Sequence, residues 1–193
     1  MSAIRQRAWL LLFWLAGLFS ACAGGRESVT VPALAGKFPH YADEAVRVDK
    51  AGVKIEDGDT FEAGGQQIRV LGLDAPEIAH PRMGWREGQP YGEAARKRAG
   101  DLFAAARVIE YLPYEKDRYG RLLAHVFLDG RLFAAAMIEE HLGWETIGTY
   151  GDNGFPDLAE LILKAAGRAG DPPFMEPYRW RRLQREKSGA SRR

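Results

Sequence analysis

The stretch TFEAGGQQIRVLGLDAPEI, residues 60–78, decides how this chain folds. Thr60-Phe61 and Gln67-Ile68-Arg69-Val70-Leu71 flank Gly64-Gly65, a combination that reads as a β-hairpin. Pro76 stops the strand that follows, because proline cannot donate to a ladder. Upstream, Val46 and Val48, then Val53 and Ile55, alternate apolar with polar as half-buried strands do. Downstream, residues 108–111 and 122–128 read as strands, and Asp129-Gly130 is a strong turn signal after the second. Three helices are expected. Residues 93–107 are alanine-rich with interspersed charge, residues 132–142 end before Gly143 as a C-terminal cap, and residues 157–168 close near Gly170. The order predicts an α+β, mainly β fold: a five-stranded Greek-key barrel of the OB type with three helices.

The chain has 193 residues, enough for one domain with a real core. Residues 1–21 read as an export signal. Arg5 and Arg7 precede the apolar run AWLLLFWLAGLF, and small residues follow at Ser20, Ala21, Cys22 and Ala23. The run is 12 residues long, too short to span a bilayer as a helix. Leu18-Phe19-Ser20-Ala21-Cys22 resembles a lipobox, in which Cys22 would carry the lipid, while Ala21-Cys22-Ala23 also fits ordinary cleavage. Export is therefore expected, either as a membrane-anchored lipoprotein or as a periplasmic or secreted protein. Cys22 is the only cysteine, so there is no disulfide framework.

Residues 22–37 read as a linker, residues 38–170 as the folded domain, and residues 171–193 as a basic tail. Without residues 1–21, Lys+Arg falls from 27 to 25 against 26 Asp+Glu. Bulk charge then excludes electrostatic capture of nucleic acid, and any attraction to phosphate must be local. The tail, with seven basic residues from Arg179 to Arg193 against Glu186, is read first as a solvated, partly disordered segment, with contact to nucleic acid or anionic lipid as the alternative.

Four polar clusters look like parts of one site: Asp57-Gly58-Asp59-Thr60, Arg69, Asp74-Ala75-Pro76-Glu77, and Asp117-Arg118-Tyr119-Gly120-Arg121. Carboxylates collect a hard divalent cation through oxygen. Arginines clamp phosphate through planar, bidentate donors. If the strands beside the hairpin pair, Asp59 and Asp74 can approach one point. With no histidine pair or second cysteine nearby, zinc is disfavoured and calcium fits better. The inventory is that of metal-assisted phosphodiester cleavage.

The segments DGDT, IRVLGLDAPEI, HPRMG, QPYGEAA and DRYGR occur in the order and approximate spacing of the staphylococcal nuclease-like (thermonuclease) family, and the chain resembles that family from about Val46 to Trp144. The resemblance implies roles. Asp59 and Asp74 would be calcium ligands, joined by the backbone carbonyl of Ala75. Asp57 would support them, with Thr60, Arg118 and Tyr119 as further supporting members. Glu77 would hold or deprotonate the attacking water, and Arg69 and Arg121 would bind the scissile phosphate. Tyr150 and Trp85 are candidate stacking platforms for bases. The family's activity implies a monomeric nuclease acting on DNA and RNA, single strands preferred, and leaving 3′-phosphate ends. The alternative is a non-catalytic nucleic-acid-binding module of the same fold. A cell-envelope protein using the basic tail on anionic lipid would leave the carboxylate–arginine set unexplained.

Overall fold

The computed structural model describes residues 34–81 and 85–190. The central hairpin forms as its turn demands. β3 (Thr60–Ala63) and β4 (Gln66–Val70) pair antiparallel, with Ala63 opposite Gln66. Gly64 and Gly65 sit at φ 57° and 77°, the left-handed pair that a two-residue hairpin turn requires. β4 then pairs in parallel with β7 (Leu122–Leu128), and β7 pairs antiparallel with β6 (Ile109–Lys116).

Short strands complete the sheet: β1 (Val46–Arg47) on β6, β2 (Lys54–Ile55) on β3, and β8 (Arg131–Leu132) on β7. The order β1-β6-β7-β4-β3-β2 makes a half-barrel of the expected OB type. The strand count exceeds five because two-residue strands line its edges. β5 (Leu73–Asp74) and β9 (Trp144–Glu145) form a separate antiparallel pair.

β6 runs on past Tyr111, where the sequence pattern stops. Pro113 lacks a donor, and a register shift between Pro113 and Lys116 absorbs it. Asp129 (φ 50°) and Gly130 (φ 70°) make the next hairpin turn, between β7 and β8.

The helices are α1 (Leu34–Lys37), α2 (Gly92–Ala105), α3 (Phe133–Glu139), α4 (Ile147–Tyr150), α5 (Pro156–Ala169) and α6 (Pro177–Ala190). The expected Gly170 cap on α5 is present at φ 74°. Gly143, however, does not cap α3. That helix ends at Glu139, and His141 takes the left-handed conformation at φ 56°. Gly143 is instead a point of close approach, since a Cβ there would run into the side chain of Leu73. α1 lies in the segment read as linker; its Leu34 is buried, and Leu34 N donates to Glu110 Oε2 at 2.9 Å.

The solvated-tail reading is corrected for α6. The helix is seated by Trp180, whose ring centroid is 5.4 Å from that of Trp85, both rings being buried. The chain entering it is held at two carbonyls: Trp144 Nε1 donates to Phe174 O at 3.2 Å, and Gln89 Nε2 donates to Met175 O. The export segment and Cys22 lie outside the described residues, as does 82–84 of the long loop. Among the described residues no helix is long and apolar enough to cross a membrane.

Phe61, Ile68, Leu112, Val126, Phe127, Phe133, Leu158 and Ile162 fill the core between the sheet, α3 and α5. His125 of β7 lies among them, fully buried against Phe155, and neither ring nitrogen has a hydrogen-bond partner among the described residues. Burial lowers its pKa to about 4. The unfolded chain, near 6.5, therefore takes up this proton first as pH falls. The stability contributed by the neutral ring is complete above about pH 6.5 and is lost between 6.5 and 4, by up to ~3 kcal/mol. Denaturant melts at a series of pH values should show this loss in the wild type. The His125→Phe variant should lack that component, its stability relative to wild type rising as pH falls; parallel profiles would mean the ring titrates normally in the fold.

Candidate active site

The turn entering β3 is shaped by its own carboxylate. Asp57 Oδ1 accepts from Asp59 N at 3.0 Å, an Asx turn, while Glu56 N and Asp57 N donate to Thr60 O. Gly58 lets this turn lie against the rest of the site. A Cβ there would stand 2.6 Å from Ala75 Cβ and 2.9 Å from Ala95 Cβ on α2. Asp59, 2% exposed, is fixed from three sides. Its Oδ1 accepts from Thr60 Oγ1 (3.0 Å) and from Arg69 Nη1, and its Oδ2 accepts from Ala75 N (2.6 Å). Asp57 and Thr60 are thus supports in the geometric sense: one sets the turn and the other orients the Asp59 carboxylate.

Arg69 stands opposite Thr60 in the β3–β4 register, which brings it level with Asp59. Gly72, at φ 78°, turns the chain after β4, and β5 returns Asp74 to the same guanidinium, with Nη2 donating to Asp74 Oδ1 at 2.8 Å. One cation therefore bridges two buried carboxylates. Burial pushes the Asp59 carboxyl up, Asp57 and Asp74 adding to it and Arg69 pulling against it. A buried charge group of this kind adds little net stability, because desolvation offsets the attraction. Its cost is an argument that the carboxylates are kept for chemistry.

Glu77 follows three residues on. Its backbone is clamped by Gln89, whose N donates to Glu77 O at 2.7 Å and whose Oε1 accepts from Glu77 N at 3.4 Å. Gly92 at the start of α2 has no room for a side chain because Glu77 O fills the space. Burial raises the Glu77 pKa, against the opposing pull of Arg181. A glutamate raised in this way is a better proton acceptor than one in water.

Arg121 is aimed by the turn before β7. Asp117 Oδ1 accepts from Tyr119 N (2.8 Å) and Arg121 N (3.0 Å), and its Oδ2 pairs with Arg121 Nε and Nη2 at 2.8 Å each. Burial would raise the Asp117 carboxyl, but these bonds outweigh it and hold it lowered, hence ionised. Arg121 Nη1 has no partner among the described residues.

Arg69, Asp74, Glu77, Arg118, Tyr119, Arg121 and Tyr150 line one cavity of about 1260 Å³. Arg118 lies over the Tyr119 ring at 4.8 Å. Tyr119 and Tyr150 are 68% and 67% exposed, the Tyr119 ring carrying Arg118 and Arg121 over it. Trp85 is different. It lines the same cavity but is 6% exposed, bridged to His80 and packed on Trp180, so little of its ring is open for the stacking role expected of it.

One site residue escaped the sequence pattern altogether. Arg181 of α6 reaches the cavity floor, where its Nη1 and Nη2 each lie 3.0 Å from an oxygen of Asp74 and Nη1 lies 2.6 Å from Glu77 Oε1. Its only signal in the sequence was membership of a basic run.

Among the described residues no group of three or more His, Cys, Asp or Glu side chains is gathered around one cation position. What the site offers is smaller: the Asp59 and Asp74 carboxylates, drawn together by Arg69, with Ala75 N donating to Asp59. The carboxylate donors are all oxygen and no described residue is a cysteine, so their chemistry fits a hard cation such as calcium.

Residues 67–166 match the family model described as staphylococcal nuclease homologue. The chain is 35% identical over 95 residues to the thermonuclease of Staphylococcus hyicus, covering 47% of this chain and 54% of that one. It thus spans about half the length of that relative. It is 30% identical over 186 residues to the micrococcal nuclease of Shigella flexneri, covering 86% of this chain and 97% of that one. It is 33% identical over 112 residues to the endonuclease YncB of Bacillus subtilis, covering 54% and 51%.

Removing Arg69 would leave Asp59 and Asp74 buried without their shared counter-charge. Arg69→Ala should lower unfolding stability by about 3–5 kcal/mol in urea melts. Added calcium should restore part of that loss by taking the place of the guanidinium charge. A loss below about 1 kcal/mol would show that the two carboxylates do not depend on it.

Proposed function

Since this chain belongs to the staphylococcal nuclease homologue family, we propose that it is a calcium-dependent nuclease that hydrolyses phosphodiester bonds of DNA and RNA with low sequence specificity. The observation that carries this reading is the convergence of Asp59, Asp74 and Glu77 with Arg69, in a cavity that Arg121 also lines. Asp59, Asp74 and the Ala75 carbonyl would hold the cation, which when bound supplies charge to the phosphoryl oxygen. Glu77, clamped through Gln89 and raised by burial, orients the attacking water and accepts its proton. Arg121 offers its unpartnered Nη1 to the scissile phosphate while Asp117 holds the rest of the fork. Charge-assisted bonds of this kind strengthen as negative charge builds on the phosphorus oxygens.

Substrate recognition by phosphate contacts and exposed tyrosines carries little base information, which supports tolerance of sequence and a preference for single strands. The family resemblance supports 3′-phosphate products. Action outside the cytoplasm, with anchoring through Cys22 as one form of it, rests on the export-like pattern of residues 1–23. Weak calcium sites fill in that setting. A binding module without chemistry would have no use for a half-buried glutamate beside two buried aspartates.

The test uses the purified full chain and labelled single-stranded DNA. Wild type should cut with calcium and stop on adding chelator. Glu77→Gln and Arg121→Ala should each lower the rate by about 10²–10³. Arg121→Ala should keep a melting temperature close to wild type, because its ion pair with Asp117 is partly exposed. If wild type and Glu77→Gln bind the DNA equally and neither cuts it, the chain is a binding module.

A further inference from the structure

α6 sorts its side chains by direction. Trp180 faces the protein and is buried against Trp85. Arg179 and Arg182 carry acidic partners from their own neighbourhood, Glu176 at 3.0 Å and Glu186 at 3.7 Å. Tyr178, Arg181 and Arg185, at i, i+3 and i+7, share another stripe, and all three line the candidate active-site cavity. Tyr178 is 54% exposed and Arg185 has no ion-pair partner among the described residues. The cavity is also lined by Arg118, Tyr119, Arg121 and Tyr150. Two arginine-and-tyrosine surfaces thus border a carboxylate floor. That pattern suits a polyanion with flat bases, because guanidinium groups pair with phosphates and exposed rings stack on bases.

Resting on the nuclease reading above, we propose that α6 is the second wall of the substrate groove, binding single-stranded nucleic acid through Arg185 and Arg181 on phosphates and Tyr178 on a base. Arg181 pairs with Asp74 and Glu77. An incoming phosphate, with the cation neutralising those carboxylates, provides it with an alternative anion. Arg181 is thus a mobile counter-charge, released as substrate arrives. Arg185 needs no such exchange, and Tyr178 is already open. The wall extends recognition to nucleotides flanking the scissile bond.

The measurement is fluorescence anisotropy of a labelled oligothymidylate with the full chain in chelator, where nothing is cut, across a salt series. KM for cleavage in calcium is measured in parallel. Arg185→Ala should weaken binding about tenfold and reduce the slope of log K against log salt by about 0.7. Tyr178→Ala should weaken it at least about fivefold. Both should raise KM more than they lower kcat, and melting temperatures should not move. Arg179→Ala and Arg182→Ala remove the same charge from the outer face and should stay within about twofold of wild type. Equal losses from the inner and outer arginines would overturn the groove in favour of diffuse charge. Wild-type affinity in Arg185→Ala and Tyr178→Ala, with Arg121→Ala impaired, would overturn the second wall and leave the nuclease reading standing. The same result with loss of binding to anionic lipid vesicles would assign α6 to a membrane surface. A wild-type chain that neither binds nor cuts would overturn both readings.

Discussion

The site depends on one guanidinium holding two carboxylates that would otherwise repel. Arg69 pairs with Asp59 and Asp74, and both aspartates are buried. Left alone, buried like charges would separate or take up protons. With Arg69 between them they remain close, and the chain is drawn in around them. Ala75 N donates to Asp59, Gly58 abuts Ala75 and Ala95, and the β5 turn is fixed beside β4. A charge arrangement with little net stability of its own therefore determines where four chain segments meet.

The half-barrel supplies the precision this requires. Asp59 and Arg69 lie at neighbouring registers of one hairpin, whose turn permits no slip without turning every side chain over. Arg121 immediately precedes β7, which pairs in parallel with β4 from Leu122 on, so its height above the floor is also set by a ladder. Asp74 comes from the separate β5–β9 pair and Glu77 from the loop after it, while Arg181 comes from α6. It is placed by the Trp85–Trp180 packing and by the carbonyls that Gln89 and Trp144 hold.

What was legible in the sequence was local. Gly64-Gly65 and Asp129-Gly130 mark turns that only a few residues can make, and both hairpins are where those residues stand. The carboxylate and arginine clusters were legible through order and spacing, and the structure brings Asp59, Arg69, Asp74 and Glu77 together and lines the same cavity with Arg121. What was not legible depended on distant partners. α6 has a charged sequence with no cap signal, and its order comes from a tryptophan that docks almost a hundred residues away in sequence. Gly143 looks like a cap because its constraint, the side chain of Leu73, lies on another element. Trp85 could be a platform or a prop, and only the position of Trp180 distinguishes the two.

The tryptophan pair has a wider consequence. It ties the long loop after Glu77 to the C-terminal helix, two segments far apart in sequence that both border the site cavity. Loop and helix thus form one lining, packed on each other and ion-paired to the carboxylate floor through Arg181. Exchanging that lining between relatives would change which polymer enters without disturbing the hairpin that builds the floor. In such a molecule, substrate preference and bond-breaking power can diverge independently.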